Sequence, residues 1–171
     1  MAGSETFQLE EAAAEAYEAK FVPAMFAEWA QQLVTVAGVA PGQRILDVAC
    51  GTGIVARTAA EIAGAEAVTG VDINHAMLAV AARVRPDISW MQGDAAALPV
   101  PDRAFHTVLC QMSLMFFPDA LAALREMDRA AAVGGTVAVV VPGRLADQPG
   151  YGPFVELVSR HAGPDAMSLL G

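Results

Sequence analysis

Three carboxylates and two glycines carry the chemistry that can be read from this chain. Ile45-Leu-Asp-Val-Ala-Cys-Gly-Thr-Gly-Ile-Val-Ala56 has the pattern of a short buried strand, a glycine turn and the start of a helix. Such a unit holds a ligand at the carboxyl end of a strand, against a helix N-terminus. Gly51 and Gly53 allow a sharp turn and a close approach of backbone to ligand. With Ala56 they match the G-x-G-x-x-G/A spacing, which leaves nicotinamide cofactors and other adenosine ligands open. Asp47 favours the latter, because a carboxylate four residues before the first glycine would repel a pyrophosphate. Two more acids are expected at strand ends: Asp72 after Val68-Thr-Gly-Val71, and Asp94 after Ile88-Ser-Trp-Met-Gln-Gly93. Three carboxylates around one crevice suit a ligand with positive charge and hydroxyls, not phosphates.

S-Adenosylmethionine has that profile: a sulfonium, an α-ammonium, a ribose diol and an adenine amine. The chain resembles the class I S-adenosylmethionine-dependent methyltransferases, of the kind that includes the ubiquinone and menaquinone methylases. The landmarks are Leu46-Asp-Val-Ala-Cys-Gly-Thr-Gly53, Gly70-Val-Asp72, Met77-Leu78, Gly93-Asp94-Ala95, Leu98-Pro99, Phe117-Pro-Asp119 and Gly134-Gly135. Each is weak alone; their order and spacing from Arg44 to Val141 make the resemblance specific.

The resemblance implies a cofactor site on Asp47, Ala49, Cys50, Gly51, Thr52, Gly53, Asp72, Ile73, Met77, Asp94, Ala95 and Cys110. Gly51 and Gly53 would bring backbone amides to the methionine portion, and Asp47 would bond its ammonium or brace the glycine loop. Asp72 would accept the ribose hydroxyls, nineteen residues after Gly53. Asn74 is expected to cap the following helix, which would leave Asp72 free for ligand. Asp94 and Ala95 would take the adenine amine, although an Asp after Gly93 also forms turns. Tyr17 and Gln111 are expected on the acceptor side, with Met112, Ser113, Met115 and Phe116 near it. Cys110 is expected to approach Cys50. No catalytic base is singled out: His106 should lie at the far end of the sheet, His75 on an exposed first turn, and His161 in the C-terminal segment. No metal site is expected.

The elements needed to position these residues alternate from Arg44 onward. Strands are expected at 44–48, 66–71, 87–92, 106–111 and 135–141, with helices at 53–63, 74–84 and 119–132. That order predicts an α/β, Rossmann-like, doubly wound parallel sheet with helices on both faces. Residues 1–40 are expected as a helical lid, 41–141 as the cofactor-binding core and 142–171 as an incomplete C-terminal segment. Leu9 to Ala37 reads as helical, broken in two by Pro23. Tyr17, Phe21, Met25, Phe26 and Trp29 make one apolar stripe, expected to pack on the core with some of it roofing the pocket. Tyr151 to His161 reads as one more helix, and the family's usual closing antiparallel strands are not recognisable.

Composition narrows the partners. A net charge of −9 and pI near 4.6 disfavour nonspecific binding to nucleic acid or an anionic membrane. No apolar run is long enough to span a bilayer, and no signal peptide is visible. The two cysteines form no disulfide framework, and a reducing cytoplasm is expected. The reading is methyl transfer to a small, partly apolar acceptor, with a homodimer left open. A noncatalytic or truncated binding domain and a nicotinamide-dependent oxidoreductase are the alternatives.

Overall fold

The computed structural model describes residues 10–143. The glycine turn sits where the sequence places it, between β1 (Ile45–Val48) and α3 (Ile54–Ala63). All four residues of β1 are buried, as a central parallel strand covered on both faces requires. Beside it run β2 (Val68–Asp72), β3 (Ser89–Gln92), β4 (Phe105–Gln111) and β5 (Ala131–Val140). The order is β3-β2-β1-β4-β5 and every pairing is parallel. The chain therefore winds outward from β1 to β3, then crosses back to place β4 on the other side of β1. That reversal opens a crevice beyond the carboxyl ends of β1 and β4, the place where such sheets bind ligands.

Strand alternation builds two cores. Ile45 and Leu109 face Leu33 and Val34 of α2 (Ala27–Val36) and Val55 and Ala59 of α3. Leu46, Val48, Val71 and Val108 face Ala123 and Met127 of α5 (Ala120–Ala130) on the opposite side. Helix starts follow local chemistry. The Asn74 side chain accepts from the Ala76 and Met77 amides at the start of α4 (His75–Val84), and Asp119 accepts from Ala122 at the start of α5. Gly64, with φ +93°, ends α3.

The N-terminal region corrects one expectation. Pro23 does not split it into two helices. α1 (Glu11–Ala16) passes into a π-helical segment, Tyr17–Phe26, that contains Pro23 and continues into α2. A wider turn tolerates proline, which lacks an N–H and crowds the carbonyl four residues back. The apolar stripe also behaves differently from a core face. Phe21, Met25 and Trp29 are 51, 42 and 44 % exposed, while Ala14, Val22, Ala30, Leu33 and Val34 are buried in their place. Strand β5 begins at Ala131, four residues before its expected start, because α5 stops at Ala130. The expected helix over Tyr151 to His161 lies outside the described residues, as do Leu9 and His161.

Candidate functional site

The crevice is a cavity of about 300 Å³. Its floor is the turn after β1. Here the backbone takes positive φ at Ala49 (+54°), Gly51 (+55°) and Gly53 (+89°). Such a conformation is strained for Ala49, and Met112, at the end of β4, shares it with φ +52° and also lines the cavity. Strain that gathers around one cavity marks a site held in shape by its surroundings. Gly53 is further constrained by Trp90 of β3: a Cβ at Gly53 would stand 2.3 Å from the indole ring, and one at Gly70 would stand 2.4 Å from it. The indole is pinned by its Nε1–H, which donates to the Arg85 carbonyl at 2.9 Å.

Asp47, Asp72 and Asp94 all line the cavity, together with Ala49, Cys50, Gly51, Ile73, Met77 and Ala95. Thr52, Gly53 and Cys110 do not. Thr52 is 1 % exposed, with its hydroxyl buried and unpartnered, and Gly53 shapes the turn from beneath. The side chain of Cys110 packs with Leu46, Val48 and Val71 on the α5 side of the sheet. Cys50 lies on the other side, where a Cβ on Gly70 would meet its Sγ at 3.0 Å next to Trp90. Strand alternation thus overturns the expected approach of the two cysteines, and both thiols are free. Burial pushes the Cys50 thiol well up and the Cys110 thiol to about 12.

The carboxylates are more committed than the sequence suggests. Asp72 Oδ2 accepts the Gly51 amide at 2.7 Å and Oδ1 accepts the Asn74 amide at 2.8 Å. Asn74 does cap α4, yet Asp72 is not thereby left free; it ties the glycine turn to the end of β2. Nor are the loop amides idle, since Gly51 N–H goes to Asp72 and Gly53 N–H to the Cys50 carbonyl. Asp47 Oδ2 accepts the Ala56 amide in the first turn of α3 at 2.9 Å, and its Oδ1 is buried with no partner. Burial raises both carboxyls, Asp47 to about 8. Asp94 is exposed and takes up the alternative role of a turn residue, accepting the Ala96 amide at 2.8 Å, while also lining the cavity. Among the described residues, no lysine, arginine or histidine lines the cavity.

Tyr17 and Phe26, both from the π-helical segment, form the roof. Their rings stack with centroids 5.3 Å apart. Burial, with Asp72, Glu18 and Asp47 adding, holds the Tyr17 phenol at about 12, so it remains protonated. Two contacts fasten this roof. Glu18 pairs with Arg57 of α3 at 2.8 Å, and Gln111 Nε2 donates to the Phe26 carbonyl at 3.1 Å. Gln111, Met112, Ser113 and Phe116 also line the cavity, and Met115 is not among the lining residues. Ile54, Val55, Asn74, Phe117 and Pro118 also line the cavity and were not among the expected cofactor or acceptor residues. His106 accepts the Arg44 amide at the opposite end of β1, and His75 is exposed. No metal-binding cluster occurs among the described residues.

Comparison with known proteins places this geometry. Residues 45–135 match a family described as a methyltransferase domain. The chain is 39 % identical over 126 residues to a demethylmenaquinone methyltransferase of Renibacterium salmoninarum, covering 74 % of this chain and 51 % of that protein. It is 42 % identical over 120 residues to a ubiquinone/menaquinone biosynthesis C-methyltransferase of Xanthomonas oryzae, covering 66 % and 47 %. It therefore spans about half the length of these curated relatives. The crystal structure of an S-adenosylmethionine-dependent methyltransferase from Aquifex aeolicus superposes with a TM-score of 0.67 over 91 % of this chain and 88 % of that one. At 16 % identity that likeness shows the fold.

Proposed function

This chain belongs to the methyltransferase domain family, and on that premise we propose that it binds S-adenosylmethionine and transfers its methyl group to a small quinol-type acceptor. One observation carries the reading. Among the described residues, the cavity at the switch point presents three carboxylates and no cationic side chain. A cationic, hydroxyl-bearing ligand satisfies that wall, whereas the pyrophosphate of a nicotinamide cofactor would find no cationic side chain there to pair with. The partly satisfied Asp47 also fits a cationic group, since its buried Oδ1 lacks a donor.

Asp47, Ala49, Cys50 and Gly51 would hold the amino-acid portion of the ligand, Asp72 the ribose, and Ile73, Met77, Asp94 and Ala95 the adenine. Thr52 and Gly53 would act by shaping the turn. The bound cofactor supplies an activated methyl group and a neutral leaving group. The chain's own work is then alignment and exclusion of water. Tyr17 and Phe26 roof the reaction space, and Gln111 anchors that roof to β4. A protonated Tyr17 can orient an acceptor oxygen but cannot serve as a base near neutrality. The quinol-type acceptor is supported by the activities of the two relatives, a demethylmenaquinone methyltransferase and a ubiquinone/menaquinone biosynthesis C-methyltransferase, and by Phe26, Phe116 and Phe117 in the cavity lining.

No helix among the described residues is long and apolar enough to cross a membrane. An intracellular chain acting on a diffusible acceptor, without nucleic acid, is the setting we favour, as a monomer or homodimer. Incubation with methyl-labelled S-adenosylmethionine and a naphthohydroquinone tests the reaction. Label on the aromatic product supports it. A folded chain that binds cofactor and leaves the quinol unlabelled rules out the proposed acceptor.

A further inference from the structure

Asp47 is buried in a setting that suits an acid better than an anion. It is 1 % exposed, and one of its two oxygens has no hydrogen-bond partner. The groups around it come from every neighbouring element. β2 contributes Asp72, already holding two amides; the glycine turn contributes the Cys50 thiol and β4 the Cys110 thiol. The π-helical segment contributes Tyr17 and Glu18, and α3 contributes Arg57. Among the described residues Arg57 is the one cation acting on Asp47, and its guanidinium is spent on Glu18 at 2.8 Å and on the Thr52 carbonyl at 2.9 Å. A second carboxylate nearby and no free cation favour the neutral form. Burial, reinforced by Asp72, outweighs the Ala56 amide and Arg57 and brings Asp47 to about 8.

We propose that Asp47 carries a proton in the ligand-free chain and loses it when the α-ammonium of the cofactor enters, so that cofactor capture releases one proton. This rests on the cofactor reading above. The step balances simply: the Asp47 O–H bond breaks, the proton passes to buffer, and the carboxylate left behind faces the ammonium. Capture then strengthens with pH. Below the pKa of the free site each unit contributes up to about tenfold in affinity, and above it the dependence levels off.

Calorimetric titration with S-adenosylhomocysteine, in buffers of different ionisation enthalpy at about pH 7, counts the protons released. The expected count approaches one, with affinity rising severalfold or more from about pH 6.5 to 7.5. Methylthioadenosine has the same nucleoside and no ammonium, and should release none. Asp47→Asn should bind S-adenosylhomocysteine with no proton release and no pH dependence over this range. Should that variant fail to fold, the two ligands on the native chain still decide. Binding of S-adenosylhomocysteine without proton release overturns the proposal, as does equal release by methylthioadenosine. Failure to bind S-adenosylhomocysteine at all overturns the cofactor reading itself, an outcome distinct from binding without release.

Discussion

Replacing Gly53 with alanine should damage the glycine turn in two separable ways. Gly53 has φ +89° and ψ +25°, where a residue with a Cβ costs about 1–2 kcal/mol. The added methyl would also stand 2.3 Å from the Trp90 ring, which its bond to Arg85 holds in place. Overpacking of that kind adds about 1–3 kcal/mol. The sum, about 2–5 kcal/mol, is a large share of the stability of an ordinary domain. Gly51 provides the contrast. Its φ is +55°, but a Cβ there meets only Tyr17, at 4.0 Å, so Gly51→Ala should cost only the backbone part. Equilibrium urea unfolding followed by circular dichroism measures both. A double-mutant cycle with Trp90→Ala isolates the clash: the double variant should be less destabilised than the sum of the singles by about 1–3 kcal/mol. Additive effects, or a Gly53→Ala variant as stable as the native chain, would refute the close packing of Trp90 on the turn.

Other perturbations address the carboxylates and the helix cap. Asp72→Ala should weaken S-adenosylhomocysteine binding by about 1–3 kcal/mol and loosen the turn, since Gly51 and Asn74 lose their acceptor; unchanged affinity in a titration would remove Asp72 from the site. Asn74→Ala removes an acceptor that serves two amides and should cost about 1 kcal/mol of stability, read as a lower urea midpoint. The pH dependence of stability has a definite sign. With its pKa raised from the usual value near 4 to about 8, Asp47 binds a proton in the folded chain that the unfolded chain has released. Its contribution therefore favours folding at low pH and fades as pH climbs from about 4 to about 8. Asp47→Asn should flatten that decline in urea midpoints; parallel profiles for the two proteins would contradict it.

Much of the fold was legible because its signals are local. Ile45–Val48 ahead of two glycines fixes the strand-to-helix turn, and Asn74 marks a helix start by side-chain type alone. Asp47 and Asp72 were recognisable because a carboxylate at the end of a buried strand needs a reason. What escaped depends on which face a side chain takes or on partners distant in sequence. Cys110 and Cys50 lie on opposite faces of the sheet, which the alternation along β4 decides. The capture of Asp72 by the Gly51 amide joins residues 21 apart. Trp90 gave one usable signal: Gly70 stands inside a strand with no turn to make, and such a glycine often marks a close approach. Nothing in the periodicity of Tyr17–Phe26 announces a π-helical segment, because its apolar residues fit an ordinary helix equally well.

The most direct test of the central claim is calorimetric titration of the folded chain with S-adenosylhomocysteine, with NAD as the control. Saturable binding of S-adenosylhomocysteine and none of NAD is the predicted result. Binding of NAD alone, or of neither ligand, would contradict the assignment of this acidic cavity to a cationic adenosine cofactor.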